Sequence, residues 1–251
     1  MTSQLLLKGM LVGVLAGLLA FAFARVAGEP VVEQAIVHEA HAHEAHAHGT
    51  ADEPELVSRQ VQRNIGLLVG VCAYGVALGG VFALVFAFSI GRVGRMGPRQ
   101  LALWIALLGF AVMVLIPSLK YPANPPGVGN PDTLRVRTAL FFAMIALSLA
   151  TLALAFDTWR RLSRTQPAGR AAAVAVCIYV GLIALVGAWL PSIDEAPQGF
   201  PTALLAQFQV ASLAIQAVLW GSIGLGFGWA AQRQMRSSHT PRVPRKAPAS
   251  H

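Results

Sequence analysis

Five of the seven histidines, His38, His41, His43, His46 and His48, fall within eleven residues. They form a tandem His-Glu-Ala-His-Ala repeat, interleaved with Glu39 and Glu44 and preceded by Glu29 and Glu33. Neutral imidazole is the commonest ligand for first-row divalent metals, and a nearby carboxylate can ligate directly or orient the ring. One such histidine would be a solvated loop residue. Five together point to metal contact, as a compositional inference. Nitrogen and oxygen donors suit Co, Ni or Zn better than Cu(I), which prefers thiolate and thioether. If the segment is helical, His41 and His48 share one face, as do His43 and His46. No fixed four-ligand spacing of a structural zinc site is present, so the tract reads as a weak capture site. It would release metal as imidazoles protonate in mildly acid medium.

Three further groups of polar residues could line a path. The run from Pro117 to Asp132 holds five prolines and two glycines, a pattern of fixed turns that should exclude regular helix. Its Lys120, Tyr121 and Asn124 would either line an entrance or belong to a rigid connector. Asp194 and Glu195 sit beside another apolar segment and would either pass a cation inward or remain solvated. Gln209, Ser212 and Gln216 recur at helical spacing, forming either a neutral polar track or bonds between helices.

Much chemistry is excluded. No charged residue or histidine occupies the middle of any long apolar stretch. Haem ligation by helix histidines, a buried serine-protease base and a proton relay through buried carboxylates therefore find no residues. The phosphate-loop pattern is also missing, so the chain has no ATP motor of its own. No catalytic residue and no resident cofactor are expected, and the chain is not read as an enzyme.

The elements that must position these groups follow from composition. The 251 residues are 55% hydrophobic and 12% charged, against roughly 25% charged in soluble domains. Six apolar segments hold most of the hydrophobic residues: Leu5 to Ala27, Ile65 to Ile90, Leu101 to Leu119, Val136 to Phe156, Ala171 to Leu190 and Leu204 to Trp229. At ~1.5 Å per residue each can cross a hydrocarbon core of ~30 Å. Unbroken spans in lipid must satisfy their own amides, so an all-α integral membrane bundle is predicted.

Sorting the charges gives the orientation. Thirteen of the nineteen basic residues and one of the eleven acids fall on the side of both chain ends, which leaves +12 there against −4 opposite. Lys and Arg are retained on the cytoplasmic side, so both termini are expected there, in a bacterial inner membrane. The net +8 therefore marks topology, and no nucleic-acid partner is expected; the surrounding partner is lipid. The domain plan is one transmembrane domain over 1–230, an external His/Glu loop over 28–64, an external Pro-rich loop over 117–135 and a basic tail over 231–251, expected to be disordered.

The first segment also resembles a signal peptide, with Ala22-Phe23-Ala24 as a small-residue cleavage site. Cleavage would leave five spans. Against it, Gly9, Gly13 and Gly17 form a small-xxx-small pattern that suits close helix packing, repeated at Gly66/Gly70, Gly75/Gly79 and Gly224/Gly228. Cys72 and Cys177 lie at different depths and are expected to be free and buried.

Several stretches together resemble the CbtA family of probable cobalt transporter subunits. They are Gly28-Glu-Pro followed by the His/Glu tract, the Lys120-Tyr-Pro-Ala-Asn-Pro-Pro-Gly run with Gly129-Asn-Pro-Asp, and Gly199-Phe-Pro leading to Gln216 and Leu219-Trp220-Gly221. The resemblance implies cobalt import for cobalamin synthesis beside CbtB, a small single-span subunit with its own histidine motif. It also implies five spans, where this sequence reads as six. The function expected is therefore a membrane subunit of a divalent metal importer, with Co2+ as cargo and Ni2+ or Zn2+ as other candidates. A metal-sensing or metal-delivering scaffold is the competing expectation.

Overall fold

The structure is a computed structural model that describes residues 2–45, 61–94, 96–126, 128–129, 131–193 and 200–238. Among these residues all regular structure is helical. Six helices are long and apolar enough to cross a membrane: Thr2–His38, Asn64–Ser89, Pro98–Lys120, Asp132–Leu162, Ala168–Trp189 and Thr202–Arg236, here the first to sixth spans.

Small residues set which spans meet. In lipid there is no hydrophobic drive between helices, so association depends on close van der Waals fit. The first and second spans run antiparallel with glycine facing glycine. A Cβ built on Gly13 would stand 2.1 Å from the Gly75 oxygen, and one on Gly9 would stand 2.3 Å from that of Gly79. The backbones touch directly. The third and sixth spans repeat the device: Gly224 and Gly228 lie over Ala106 and Ala102, and Gly109 receives the ring of Trp220. Gly66 and Gly70 do not follow the pattern. A Cβ on Gly70 would meet nothing within 4 Å, so this pair carries no packing.

The sixth span also runs along the first, with Gly226 against Val12 and Gly28 against Ile215. Spans one, two, three and six thereby enclose the main core, which includes Ala20, Phe82, Phe86, Leu219, Ile223 and Phe227. Phe227 meets Phe82 and Phe86 edge to face at 5.4 and 5.0 Å. The first span is an integral wall of this core.

The fourth and fifth spans form a hairpin joined at mid-depth by a 2.8 Å hydrogen bond between the Ser148 and Tyr179 hydroxyls. Tyr121, Met144 and Leu190 make its small separate core. The fifth span is the least buried of the six. Cys177 is exposed on it and Cys72 is half-buried against Gly17, so both are free but neither is fully buried as expected.

The ends sort as the charges require. Gln234 donates to Gln4 across 3.1 Å, which brings the start of the first span and the end of the sixth to one end of the bundle. His38, Lys120, Ser192 and Phe200 gather at the other.

Four helices extend past their expected limits. The first continues through the expected loop to Ala45; the Ala/Glu-rich tract is a good helix former, and Pro30 sits near the start of a helix segment where its missing N–H is tolerated. The third runs through Pro117 to Lys120, and the fourth already begins at Pro131, which shortens the Pro-rich loop from both sides. The sixth continues to Ser238, into the stretch expected as disordered tail. Ala231 is buried there, and Arg233 stacks 3.8 Å over Trp229.

Pro30 and Pro117 each follow a π-helical turn. Ala24–Gly28 precedes Pro30, and Ala111–Leu115 precedes Pro117, each proline lying two residues past the turn. A π turn widens the backbone by one residue, so the helix absorbs a proline that it would otherwise break at.

Candidate metal pathway

The helix Glu29–Ala45 turns one face of the His/Glu tract onto the start of the sixth span. Pro30, Glu33, Gln34, Val37 and His38, spaced three and four apart, line an open groove of about 480 Å³ with Leu204. The His38 ring stands edge-on to Phe200 at 5.2 Å. A carboxylate, an amide and an imidazole thus share the mouth of a cleft between the first and sixth spans. Glu29 is one turn below Glu33 on the same helix. Glu39, His41, His43 and Glu44 continue that helix, while His46 and His48 lie outside the described residues, so each expected pair, His41/His48 and His43/His46, has one member there. Among the described residues no three His, Cys, Asp or Glu converge.

Deeper along the same two helices lies a second cleft of about 490 Å³. Phe23, Ala27 and Val31 face Gln207, Val210, Ala211 and Ala214 across it, with Ala206. Gln207 is therefore the polar residue of this cleft. Gln209 and Ser212 are partly buried on another side of the helix. One turn below, the Gln216 carbonyl oxygen is buried and accepts no hydrogen bond, and the Trp220 indole N–H is in the same condition. For Gln216 Oε1 the interhelical bond expected of such residues is not made.

The Pro-rich loop is used differently. Lys120 donates to the Ser192 hydroxyl and the Tyr121 hydroxyl donates to the Pro191 carbonyl, both at 2.7 Å. The Arg137 guanidinium donates to the Pro122 carbonyl. Burial pushes the Tyr121 phenol above its usual pKa, so it stays a protonated donor through neutral pH. These bonds hold the loop across one end of the hairpin. Asn124 is partly buried within it. Asp194 and Glu195, just beyond the clamp, lie outside the described residues.

Sequence reasoning missed Gln34, Gln207 and Trp220. The first two are polar residues on faces that only the docking of two helices defines. Trp220 entered the sequence reading only through the Leu219-Trp220-Gly221 run, and its seat against Gly109 is set by the docking of the third and sixth spans.

No curated protein and no solved structure matches the chain. A family model described as "Probable cobalt transporter subunit (CbtA)" matches residues 2–232, which takes in the His/Glu tract, the first five spans and all but the last four residues of the sixth. The chain is a multi-pass membrane protein, and it belongs to the CbtA family.

Proposed function

We propose that this protein is the membrane subunit of a divalent metal importer that gathers its ion on the outer His/Glu helix and passes it inward between the first and sixth spans. The observation that carries this reading is a pair of open clefts that follow one another along one helix pair, the first lined by Glu33 and His38 and the second by Gln207. Glu29, Glu39, Glu44 and the remaining histidines would raise the local metal concentration above that mouth. Net −4 outside favours cations at short range, within the ~8 Å screening length at physiological salt. Family membership supports cobalt as the cargo. Nitrogen and oxygen donors alone would also accept Ni2+ or Zn2+. A small single-span subunit of the CbtB kind is the proposed partner.

The first span is retained in this proposal. Its removal would bare the glycine backbone of the second span and one wall of the core.

The test is uptake of radioactive Co2+ into proteoliposomes holding the purified protein, with and without the partner, in competition with Ni2+ and Zn2+. Uptake with Co2+ preferred is expected. Metal bound at the outer helix with no uptake in either preparation overturns the importer in favour of a sensing or delivery scaffold.

A further inference from the structure

The two clefts between the first and sixth spans continue one face on each helix. On the first, Phe23, Ala27 and Val31 line the deeper cleft and Gln34 and His38 the outer one, at successive steps of three or four residues. On the sixth, Leu204 lines the outer cleft and Gln207, Ala211 and Ala214 the deeper one, at the same steps. Such steps stay on one side of a helix. Next to the clefts Gly28 lies against Ile215, so the helices touch there, and Val210 in the deeper cleft is 66% exposed. Together the clefts form a furrow on the surface of the bundle that follows the first helix from Phe23 to His38, about 22 Å at ~1.5 Å per residue.

This furrow is poorly made for an ion by itself and well made for a helix. Its deeper walls are alanine, valine and phenylalanine, with Gln207 as the one polar side chain. An ion that sheds water inside a membrane needs polar groups in place of that water. The outer end brings together Glu33, Gln34 and His38, and among the described residues no three His, Cys, Asp or Glu converge. First-row metal sites take about four ligands or more, so the set is incomplete. Small residues, Ala27, Ala206, Ala211 and Ala214, recur along the deeper walls. The first and second spans, and the third and sixth, already meet at glycine and alanine. Close approach at small residues is how helices associate in lipid. The chain also belongs to a family of transporter subunits, so a further chain stands beside it.

We propose that this furrow seats a single transmembrane helix of the partner subunit, whose outer turn completes the metal site with an imidazole or carboxylate opposite Glu33 and His38. The small-residue walls let that helix approach closely, and its polar face passes Gln207 to give the path the second wall that this chain lacks. That the partner has one span and completes a metal site rests on the importer reading above. The seat itself rests on the furrow and on the chain being a subunit.

The test places the photoreactive residue p-benzoylphenylalanine at position 210 of the full-length chain, in membranes that also hold the small single-span subunit. Illumination should join the two chains, whereas the same residue at position 180, exposed on the fifth span, should not. An adduct with phospholipid alone or with a second copy of this chain overturns the seat, as does an adduct with the subunit from position 180 in preference to 210. Ala206→Trp fills the furrow from an exposed position. It should lower co-purification of the subunit about tenfold while the chain alone melts as the wild type does; undiminished co-purification counts against the seat. Titration with Co2+ reads the metal site: the purified pair should bind about tenfold more tightly than this chain alone, and His38→Ala should remove the difference. Equal affinities overturn the shared site. If wild-type vesicles take up no metal, the importer reading fails and the crosslink still decides the seat; uptake without the crosslink sinks the seat alone.

Discussion

The contacts that leave least room for change are backbone contacts at glycine. A Cβ at residue 13 would meet the Gly75 oxygen at 2.1 Å, a backbone atom that cannot swing aside. Gly13→Leu should therefore separate the first two spans and cost about 2 kcal/mol or more, read as loss of folded protein in detergent thermal melts. Gly70→Ala, with nothing within 4 Å, should melt as the wild type does. At the outer mouth, Glu33→Gln removes the carboxylate that shares the groove with His38. The proposed capture role predicts an about tenfold higher Co2+ concentration for half-maximal uptake, with the maximal rate unchanged. An unchanged half-saturation would take Glu33 out of the pathway.

At the scale of elements, the clamp over the fourth and fifth spans rests on few bonds. The Tyr121 hydroxyl bonds the Pro191 carbonyl from a buried position, and the Arg137 guanidinium bonds the Pro122 carbonyl. Tyr121→Phe should cost about 1 kcal/mol and raise amide exchange in the residues just after Lys120. Unaltered exchange would show that Lys120 and Arg137 hold the loop without it. The π turns explain why proline did not end two helices: one inserted residue before Pro30 and before Pro117 lets the chain continue outward. Periodicity reports apolar faces and is blind to this local change of register.

For the whole molecule, spans one, two, three and six share one core, and the hairpin of spans four and five carries a smaller one of its own. The bond between Gln4 and Gln234 brings both ends of this core to the basic face. A cysteine introduced at Ser192 should react with a membrane-impermeant maleimide on intact cells, whereas one at Ser163 should react only after permeabilisation. The opposite labelling would invert the topology. The mass of the mature protein should include residues 1–27, since the first span walls the core; a mass lacking them would restore the five-span form.

The sequence by itself determined the class of fold, the six candidate spans, the family resemblance and the charge asymmetry. Each depends on composition summed over long segments or on motifs contiguous in the chain. The first-second glycine pairing was half legible: spacing marked Gly9, Gly13, Gly75 and Gly79, yet marked Gly66 and Gly70 equally, and only packing separates them. The cleft was not legible. Glu33 and His38 line one groove and Gln207 a second because two helices far apart in the chain dock along each other, which is a property of their surfaces together.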